Sequence, residues 1–177
     1  MPPLHVYFRD TSPTLVQQVK HLKFPHVTST CGNLLDLATK VDVLVTAGNA
    51  YGIMDDGIDR AFRDYFGTEL EDRVQETIEG IGKAPIGKCI VVPMTLNIDT
   101  KRQPLKFIFY VPTMKEPGLL SAKEQSIVPY MCFRSIFQTA RLLKGITTIG
   151  VCGLGTGIGG VSESSMVEQL RRALRDG

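Results

Sequence analysis

The chain has 177 residues, of which 43% are apolar and 21% charged, which is ordinary for one globular domain with a sizeable core. The formal net charge is +2 and the basic residues are scattered, so the sequence predicts no nucleic-acid partner. Four cysteines without a CxxC pair predict mostly buried, reduced thiols in a cytoplasmic protein rather than a disulfide framework. Because no signal pattern or apolar run of ~20 residues is visible, we expect no membrane partner.

Apolar spacing and turn residues predict strands that alternate with helices along the chain. The predicted strands are 4–8, 27–31, 41–46, 88–92, 106–111 and 146–152, and a polar loop is predicted at 97–103. The predicted helices are about 13–22, 58–65, 70–78, 126–144 and 162–176. Ser12 and Pro13 are typical of a helix start, and Ile58, Phe62 and Tyr65 fall on one helix face. This alternation is typical of an α/β fold with a mixed or largely parallel sheet.

The most distinctive stretch is residues 153–160, in which five of eight residues are glycine. It follows the predicted strand 146–152 and precedes the predicted helix 162–176. Glycines let backbone N–H groups approach a ligand closely, and an adjoining helix N-terminus favours an anion. The loop therefore indicates a phosphate-bearing ligand, and the alternative is a purely structural turn. The lack of Gly-Lys-Ser/Thr argues against a P-loop, and the position after the last strand argues against a dinucleotide-binding Rossmann unit.

A second loop, residues 47–57, also follows a predicted strand and precedes a predicted helix. Asp56 is typical of an N-cap and Asp59 of a first helical turn, where an acid favours the helix dipole. Alternatively, Asp59 points back towards a ligand held by the loop. Asn49 is either a turn residue or a donor to a ribose hydroxyl. Both loops should meet at the carboxyl ends of the strands, where α/β sheets bind ligands.

The sequence predicts neither a metal site nor a cofactor. The adjacent carboxylates of Asp55 and Asp56 supply too few oxygen ligands for Mg²⁺ or Ca²⁺. The histidines at positions 5, 21 and 26 form no pair with the spacing of zinc ligands.

Three segments together resemble the macro domain, an α/β module that binds ADP-ribose. Residues 41–49 resemble the strand that ends in Asn-Ala-Ala-Asn in that family. Residues 54–59 resemble the Gly-Gly-Gly-Gly-Val-Asp that follows, and residues 153–160 resemble the loop that holds the pyrophosphate and the distal ribose. The order and separation of the segments fit over roughly residues 27–176. The resemblance implies a three-layer α/β/α domain with a mixed, largely parallel central sheet.

The resemblance also implies which residues contact the ligand. Asn49 would contact the distal ribose, and Asp59 would orient or activate water near the anomeric carbon, so these two are the predicted catalytic residues. Gly32, Asn33 and Leu34 match the Gly-Asp-Ile that recognises adenine. The other predicted ligand-binding residues come from the two loops and are Ala47, Gly48, Gly57, Ile58, Gly153, Gly155, Thr156, Gly157, Ile158 and Gly159.

Several positions depart from the family pattern. Asn33 replaces an aspartate, and we expect its amide to accept from the adenine amino group without charge assistance. Thr46 stands where the strand motif has its first asparagine. Met54, Asp55 and Asp56 replace glycines, and two carboxylates near a pyrophosphate would repel it unless they face solvent, cap the helix or bind a cation.

The ends of the chain also differ from the family, whose members usually finish with a strand and a helix after the glycine-loop helix. This sequence begins instead with a strand and a helix in residues 1–26. We therefore predict one macro-like domain over 1–177, in which 1–26 takes the place of the usual C-terminal unit, as in a circular permutation. Arg9, Asp10 and Thr11 would then lie near the adenine end of the cleft.

The resemblance predicts that the chain binds ADP-ribose or a derivative. We expect it to hydrolyse an ADP-ribosyl ester, either mono-ADP-ribosylated protein or O-acetyl-ADP-ribose, because Asn49 and Asp59 keep the residue types of the hydrolytic branches. The alternatives are an ADP-ribose reader without turnover, favoured by Asp55 and Asp56, and a binder of another nucleotide or phosphate ligand.

Overall fold

The computed structural model describes residues 2–94 and 105–177, so the loop predicted at 97–103 lies outside the described residues. The strands of the described part are β1 (His5–Asp10), β2 (Val27–Cys31), β3 (Val43–Asn49), β4 (Ile90–Pro93), β5 (Phe107–Met114) and β6 (Thr148–Val151). The helices are α1 (Pro13–Lys20), α2 (Gly57–Phe66), α3 (Thr68–Ile81), α4 (Ala122–Gln125), α5 (Val128–Leu142) and α6 (Glu163–Asp176). A 3-10 helix covers Leu34–Thr39.

The six strands form one mixed sheet in the order β2-β1-β6-β3-β5-β4. Every neighbouring pair is parallel except β4 with β5, which is antiparallel. The predicted α/β class with a largely parallel sheet is therefore confirmed. Since the carboxyl ends of parallel strands share one edge, the loops that follow β1, β3, β5 and β6 all meet there.

Helices cover both faces of the sheet, which makes the three predicted layers. Val43 and Val45 of β3 contribute to one core, together with α1, α5 and α6. Leu44 contributes to the other core, together with the 3-10 helix, α2 and α3. This alternation follows from the two-residue repeat of a strand buried on both faces. Within the described ranges, no helix is both long and apolar enough to cross a membrane.

The N-terminal unit is part of the central sheet. β1 pairs with β2 on one side and with β6 on the other. Ser12 caps α1 by accepting from the backbone N–H of Leu15, and Pro13 occupies the first turn, as the sequence predicts. The place of β1 beside β2 is what the permutation hypothesis requires, but the origin of the unit stays a prediction.

The structure refines three local predictions. The predicted helix at 126–144 is present as α5 (Val128–Leu142), which is two residues shorter at each end because Ile127 has non-helical backbone angles and the chain turns extended at Leu143. Tyr65 is 49% exposed although it shares a helix face with the buried Phe62, and its ring packs edge-on against Phe66. Cys89 and Cys132 are buried and Cys152 is partly buried, whereas Cys31 is an exposed thiol.

Candidate functional site

A cavity of about 590 Å³ opens at the carboxyl edge of the sheet. This size lies within the range of small-molecule sites. Every residue predicted to contact a ligand lines this cavity, so the structure brings together segments that lie far apart in the sequence. These residues are Gly32, Asn33, Leu34, Ala47, Gly48, Asn49, Gly57, Ile58, Asp59, Gly153, Gly155, Thr156, Gly157, Ile158 and Gly159.

The glycine loop, residues 153–160, is held in shape by backbone hydrogen bonds within the loop and from Val161, the residue that follows it. The N–H of Val161 donates to the carbonyl of Gly155 at 2.9 Å, and the N–H of Gly160 donates to that of Gly157 at 3.0 Å. A side chain on Gly159 would place its Cβ 2.9 Å from the Gly155 oxygen, so the turn requires glycine there. Within the described residues, no hydrogen bond uses the N–H groups of 156–159. The loop therefore presents unpaired donors beside the cavity, the arrangement that cradles phosphate groups.

The N-terminal unit is bonded to the start of the glycine loop and to the first residue of α6, the helix that follows the loop. Asp10 accepts from the N–H of Gly153 at 3.0 Å through Oδ2 and from the N–H of Ser12 at 2.9 Å through Oδ1. Beyond the loop, Glu163 accepts from the hydroxyls of Ser12 (2.5 Å) and Thr14 (2.7 Å), and these bonds lower the pKa of its carboxyl. The N-terminal unit therefore positions the loop that carries the free donors.

Asp59 lies in the wall of the cavity, in the first turn of α2, and is 3% exposed. The hydroxyl of Thr46 donates to Oδ1 of Asp59 at 2.6 Å. A Cβ on Gly48 would overlap Oδ2 of Asp59 and the hydroxyl of Tyr110, so glycine makes this close approach possible. Burial raises the pKa of Asp59 to about 8, although the bond from Thr46 opposes the shift. Asp59 consequently holds its proton near neutral pH.

The side-chain amide of Asn49 is bonded to its own loop. Oδ1 accepts from the N–H of Tyr51 at 3.0 Å and of Ile53 at 3.3 Å, while Nδ2 donates to the carbonyl of Ile53 at 2.8 Å. Tyr110 adds a 2.6 Å bond from its hydroxyl to the Asn49 carbonyl. Asn49 is thus a turn residue in this structure, which is one of its two predicted roles. The second N–H of Nδ2 is the group that it still offers to a ribose hydroxyl.

The loop between β3 and α2, residues 50–56, comes first in the chain and is called the first loop. Its three positions that depart from the family glycines, 54, 55 and 56, lie in different surroundings. Met54 is fully buried in the core under α2 and α3, and its N–H donates to a carboxylate oxygen of Glu71 at 2.5 Å. Asp55 is exposed and does not line the cavity. Asp56 lines the cavity at the N-cap position of α2, but its side chain makes no capping bond. The carboxylate of Asp56 therefore borders the cleft, whereas that of Asp55 does not.

The opposite end of the cavity is formed by β1 and the start of the 3-10 helix. Arg9, Asp10 and Thr11 line it together with Gly32 and Asn33. The Nε of Arg9 donates to the Asn33 carbonyl at 2.9 Å. Oδ1 of Asn33 accepts from the N–H of Leu35 at 3.0 Å. This oxygen therefore accepts one bond within the protein, and its second lone pair is the one that could accept from an adenine amino group, as the family resemblance implies.

A family model described as the macro domain matches residues 45–170, more than two thirds of the chain. The chain belongs to the macro domain family. An uncharacterized protein of Aquifex aeolicus is 29% identical over 140 residues, which cover 74% of this chain and 73% of that protein.

Two solved macrodomains show the same fold. The macrodomain of Mycobacterium tuberculosis DarG is 23% identical, with a TM-score of 0.67, and the match covers 84% of this chain and 90% of that one. A variant of the Oceanobacillus iheyensis macrodomain with ADPR is 19% identical, with a TM-score of 0.63 and coverage of 78% and 71%.

The cavity of this macro domain also includes residues that sequence analysis did not select. Thr113, Met114 and Pro117 lie at and after the end of β5, and the thiol-bearing Cys152 follows β6. Burial raises the pKa of Cys152 to about 12, so its thiol is uncharged. No sequence motif marks these residues. For Thr113, Met114 and Pro117, the position at or just after the end of a parallel strand was the feature that indicated a ligand site. Residues 2–94 and 105–177 contain no cluster of three or more His, Cys, Asp or Glu suited to a metal ion.

Proposed function

We propose that this macro domain binds ADP-ribose or an ADP-ribose derivative in the cleft between the first loop and the glycine loop. The observation that carries the proposal is the joint placement of both loops and the Gly32–Leu34 segment around one cavity. The unpaired N–H groups of 156–159 suit a pyrophosphate. The Oceanobacillus iheyensis macrodomain that shares the fold has ADPR with it, which supports the same ligand class here.

We further propose that the bound ligand is an ADP-ribosyl ester, either on an acidic protein side chain or in O-acetyl-ADP-ribose, and that the protein hydrolyses it. For the protein ester, water adds to the anomeric carbon of the distal ribose, and the ester oxygen leaves with the bonding electrons. Asp59, which is protonated near neutral pH, would donate its proton to the departing oxygen and recover one from the attacking water. Thr46 would hold the carboxyl in place through Oδ1.

The second candidate is a reader that binds ADP-ribose without turnover. It is favoured by the bonds that occupy the amide of Asn49 and by the burial of Asp59, because both leave little side-chain surface for water or the distal ribose. It predicts binding and thermal stabilisation without product.

Calorimetric titration with ADP-ribose, with ADP and AMP as controls, tests the ligand. We expect micromolar binding of ADP-ribose that is clearly tighter than that of ADP, because the distal ribose should add contacts near Asn49 and Asp59. Failure of all three nucleotides to bind would reject the proposal.

Measuring the turnover of an ADP-ribosyl ester by the unaltered protein and by Asp59→Asn then distinguishes the hydrolase hypothesis from the reader hypothesis. The enzyme hypothesis predicts a loss of roughly 10²-fold or more, with binding retained. Asp64→Asn is the matched control, because Asp64 lies on the same helix with 63% of its side chain exposed. No product from the unaltered protein, with ADP-ribose bound, would support the reader, whereas full turnover by Asp59→Asn would reject the role of Asp59.

A further inference from the structure

Exposed apolar side chains border the mouth of the cleft on the side of β3, β5 and β6. Tyr51 and Ile53 stand on the first loop, Ile158 on the glycine loop, and Leu119 on the segment 115–120 that follows β5. About half of each of the first three side chains is exposed, and 76% of Leu119. We call these four residues the rim. Exposed apolar residues that lie together mark an interaction surface, whereas singly scattered ones need no explanation.

Backbone hydrogen bonds join the three parts of the chain that carry the rim. The N–H of Ala50 donates to the carbonyl of Lys115 at 3.2 Å, which ties the first loop to the segment after β5. At the other end of that segment, the N–H of Leu120 donates to the carbonyl of Gly159 in the glycine loop at 3.1 Å. The rim is therefore one connected arc around the cleft mouth.

The rim extends beyond the cavity in which the ADP-ribosyl group would lie. Ile53 and Ile158 line that cavity, whereas Tyr51 and Leu119 do not. An acetyl group on the distal ribose is small enough to be covered by the two residues that line the cavity. The apolar surface farther out can be covered only by a larger group attached to the ribose. The extent of the rim thus favours a macromolecular substituent.

The charged side chains around the rim are mainly acidic. Asp55 and Asp56 on the first loop and Glu116 on the segment after β5 are all exposed. Among the described residues, none of these three acids forms an ion pair. Lys115 is the one basic residue in 50–56 and 115–120. Such a surface repels the phosphates of a nucleic acid and attracts lysine and arginine side chains.

We propose that the rim docks the polypeptide to which ADP-ribose is attached, and that it favours apolar and basic residues beside the modified side chain. The inference rests on the proposed function, which puts the ADP-ribosyl group in the cleft, and it selects the protein-linked ester over O-acetyl-ADP-ribose. Tyr51 and Leu119 would cover apolar side chains of the polypeptide, while Asp55 would attract a lysine or arginine. The cleft then supplies most of the affinity, and the rim supplies the discrimination between substrates.

Calorimetric titration with free ADP-ribose and two synthetic peptides tests this inference. Each peptide carries ADP-ribose on a glutamine side chain, because that amide link imitates the glutamate ester and resists hydrolysis. One peptide has leucine and arginine beside the modified residue, and the other has serine and glutamate. We expect the unaltered protein to bind the leucine–arginine peptide about tenfold or more tightly than the serine–glutamate peptide, and more tightly than free ADP-ribose.

Two variants separate the apolar and the charged parts of the rim. Leu119→Ser should weaken binding of the leucine–arginine peptide about threefold to tenfold and leave the affinity for free ADP-ribose unchanged. Leu142→Ser is its matched control, because Leu142 is 84% exposed at the end of α5 and does not line the cavity. Asp55→Asn should narrow the difference between the two peptides by about threefold, as for an exposed ion pair, whereas Asp64→Asn should not.

Equal affinity of the unaltered protein for the two peptides, or equal effects of Leu119→Ser and Leu142→Ser, would overturn the inference, while binding of free ADP-ribose would leave the proposed function standing. A dimer that Leu119→Ser dissociates in analytical ultracentrifugation would show that a second copy covers the rim. Tighter binding of an oligonucleotide with ADP-ribose on its terminal phosphate would show a nucleic-acid substituent. Either result would also overturn the inference. Failure of ADP-ribose and both peptides to bind would overturn the proposed function as well.

Discussion

The first loop and the glycine loop lie side by side at one sheet edge, yet different parts of the chain stabilise them. Side chains hold the first loop: the amide of Asn49, the carboxylate of Glu71 on the N–H of Met54, and Nε2 of Gln75 on the carbonyl of Gly52 at 3.2 Å. The glycine loop is held mostly by hydrogen bonds between its own backbone groups. The first loop therefore fixes the positions of a few side chains, whereas the glycine loop leaves the backbone N–H groups of 156–159 free to bind an anion.

Gly48→Ala is the strongest test of how closely the first loop's surroundings are packed. The new Cβ would overlap Asp59 and lie 2.6 Å from Cζ of Tyr110, both of which are buried. We expect the free energy of unfolding to fall by about 3 kcal/mol or more, measured by chemical denaturation. Gly80→Ala in α3 is the control, because nothing lies within 4 Å of its Cβ, and a small gain of up to about 1 kcal/mol is expected. Equal stability of both variants would mean that the Asp59 pocket is not closely packed.

The pH dependence of stability tests the protonated state of Asp59. The folded protein keeps this proton up to a pKa of about 8, whereas the unfolded chain loses it near 3.8. The unfolding free energy should therefore decrease as pH rises between these values, by at most about 1.4 kcal/mol per pH unit for one proton, and level off above them. Asp59→Asn removes this contribution.

Denaturation of the two proteins at about pH 5, 6, 7 and 8 measures the effect. The stability of Asp59→Asn relative to the unaltered protein should rise steadily over that series. A constant difference would show that Asp59 is ionised at neutral pH, and the proposed proton donor would then be wrong.

Asp10→Asn perturbs the glycine loop instead. Asparagine supplies one oxygen for the two N–H groups of Ser12 and Gly153, so one of them must face an amide donor. We expect a loss of about 1–2 kcal/mol in unfolding free energy and several-fold weaker ADP-ribose binding, because the start of the loop is released. Asp72→Asn, an exposed acid on α3, should change neither. Unchanged affinity in Asp10→Asn would show that the loop keeps its shape without the bond from Gly153 to Asp10.

Local physical chemistry explains which parts of the fold the sequence predicted. Ser12 and Pro13 start α1 because a hydroxyl cap and a proline satisfy the first turn, and Leu70 and Val74 are buried at helical spacing on α3. Tyr65 lies on α2 as predicted but is half exposed, because spacing identifies a helix face and not how much of that face the neighbouring elements cover. The start of α5 at Val128 rather than at 126 depends on the backbone angles of Ile127, which apolar spacing does not report.

The candidate site shows the same division. Its two loops could be located from glycine content and family resemblance, because both features are local in sequence. The direction of the Asn33 amide depends on a bond to Leu35, and the pKa of Asp59 depends on burial under residues from other elements. No sequence pattern reports the direction of an amide or the burial of a carboxyl. The sequence therefore identified Asn33 and Asp59 as site residues but not the orientation of the one or the protonation of the other.

The bonds between the N-terminal unit and the glycine loop have a consequence for the order of folding. Asp10 and Gly153 are 143 positions apart, and Ser12 and Glu163 are 151 apart. Contacts of such large sequence separation form late and slow the search for the native state. On the ribosome, β1 would leave the exit tunnel long before β6 and α6 exist to receive it. The cleft is therefore expected to be assembled only after β6 and α6 have been synthesised.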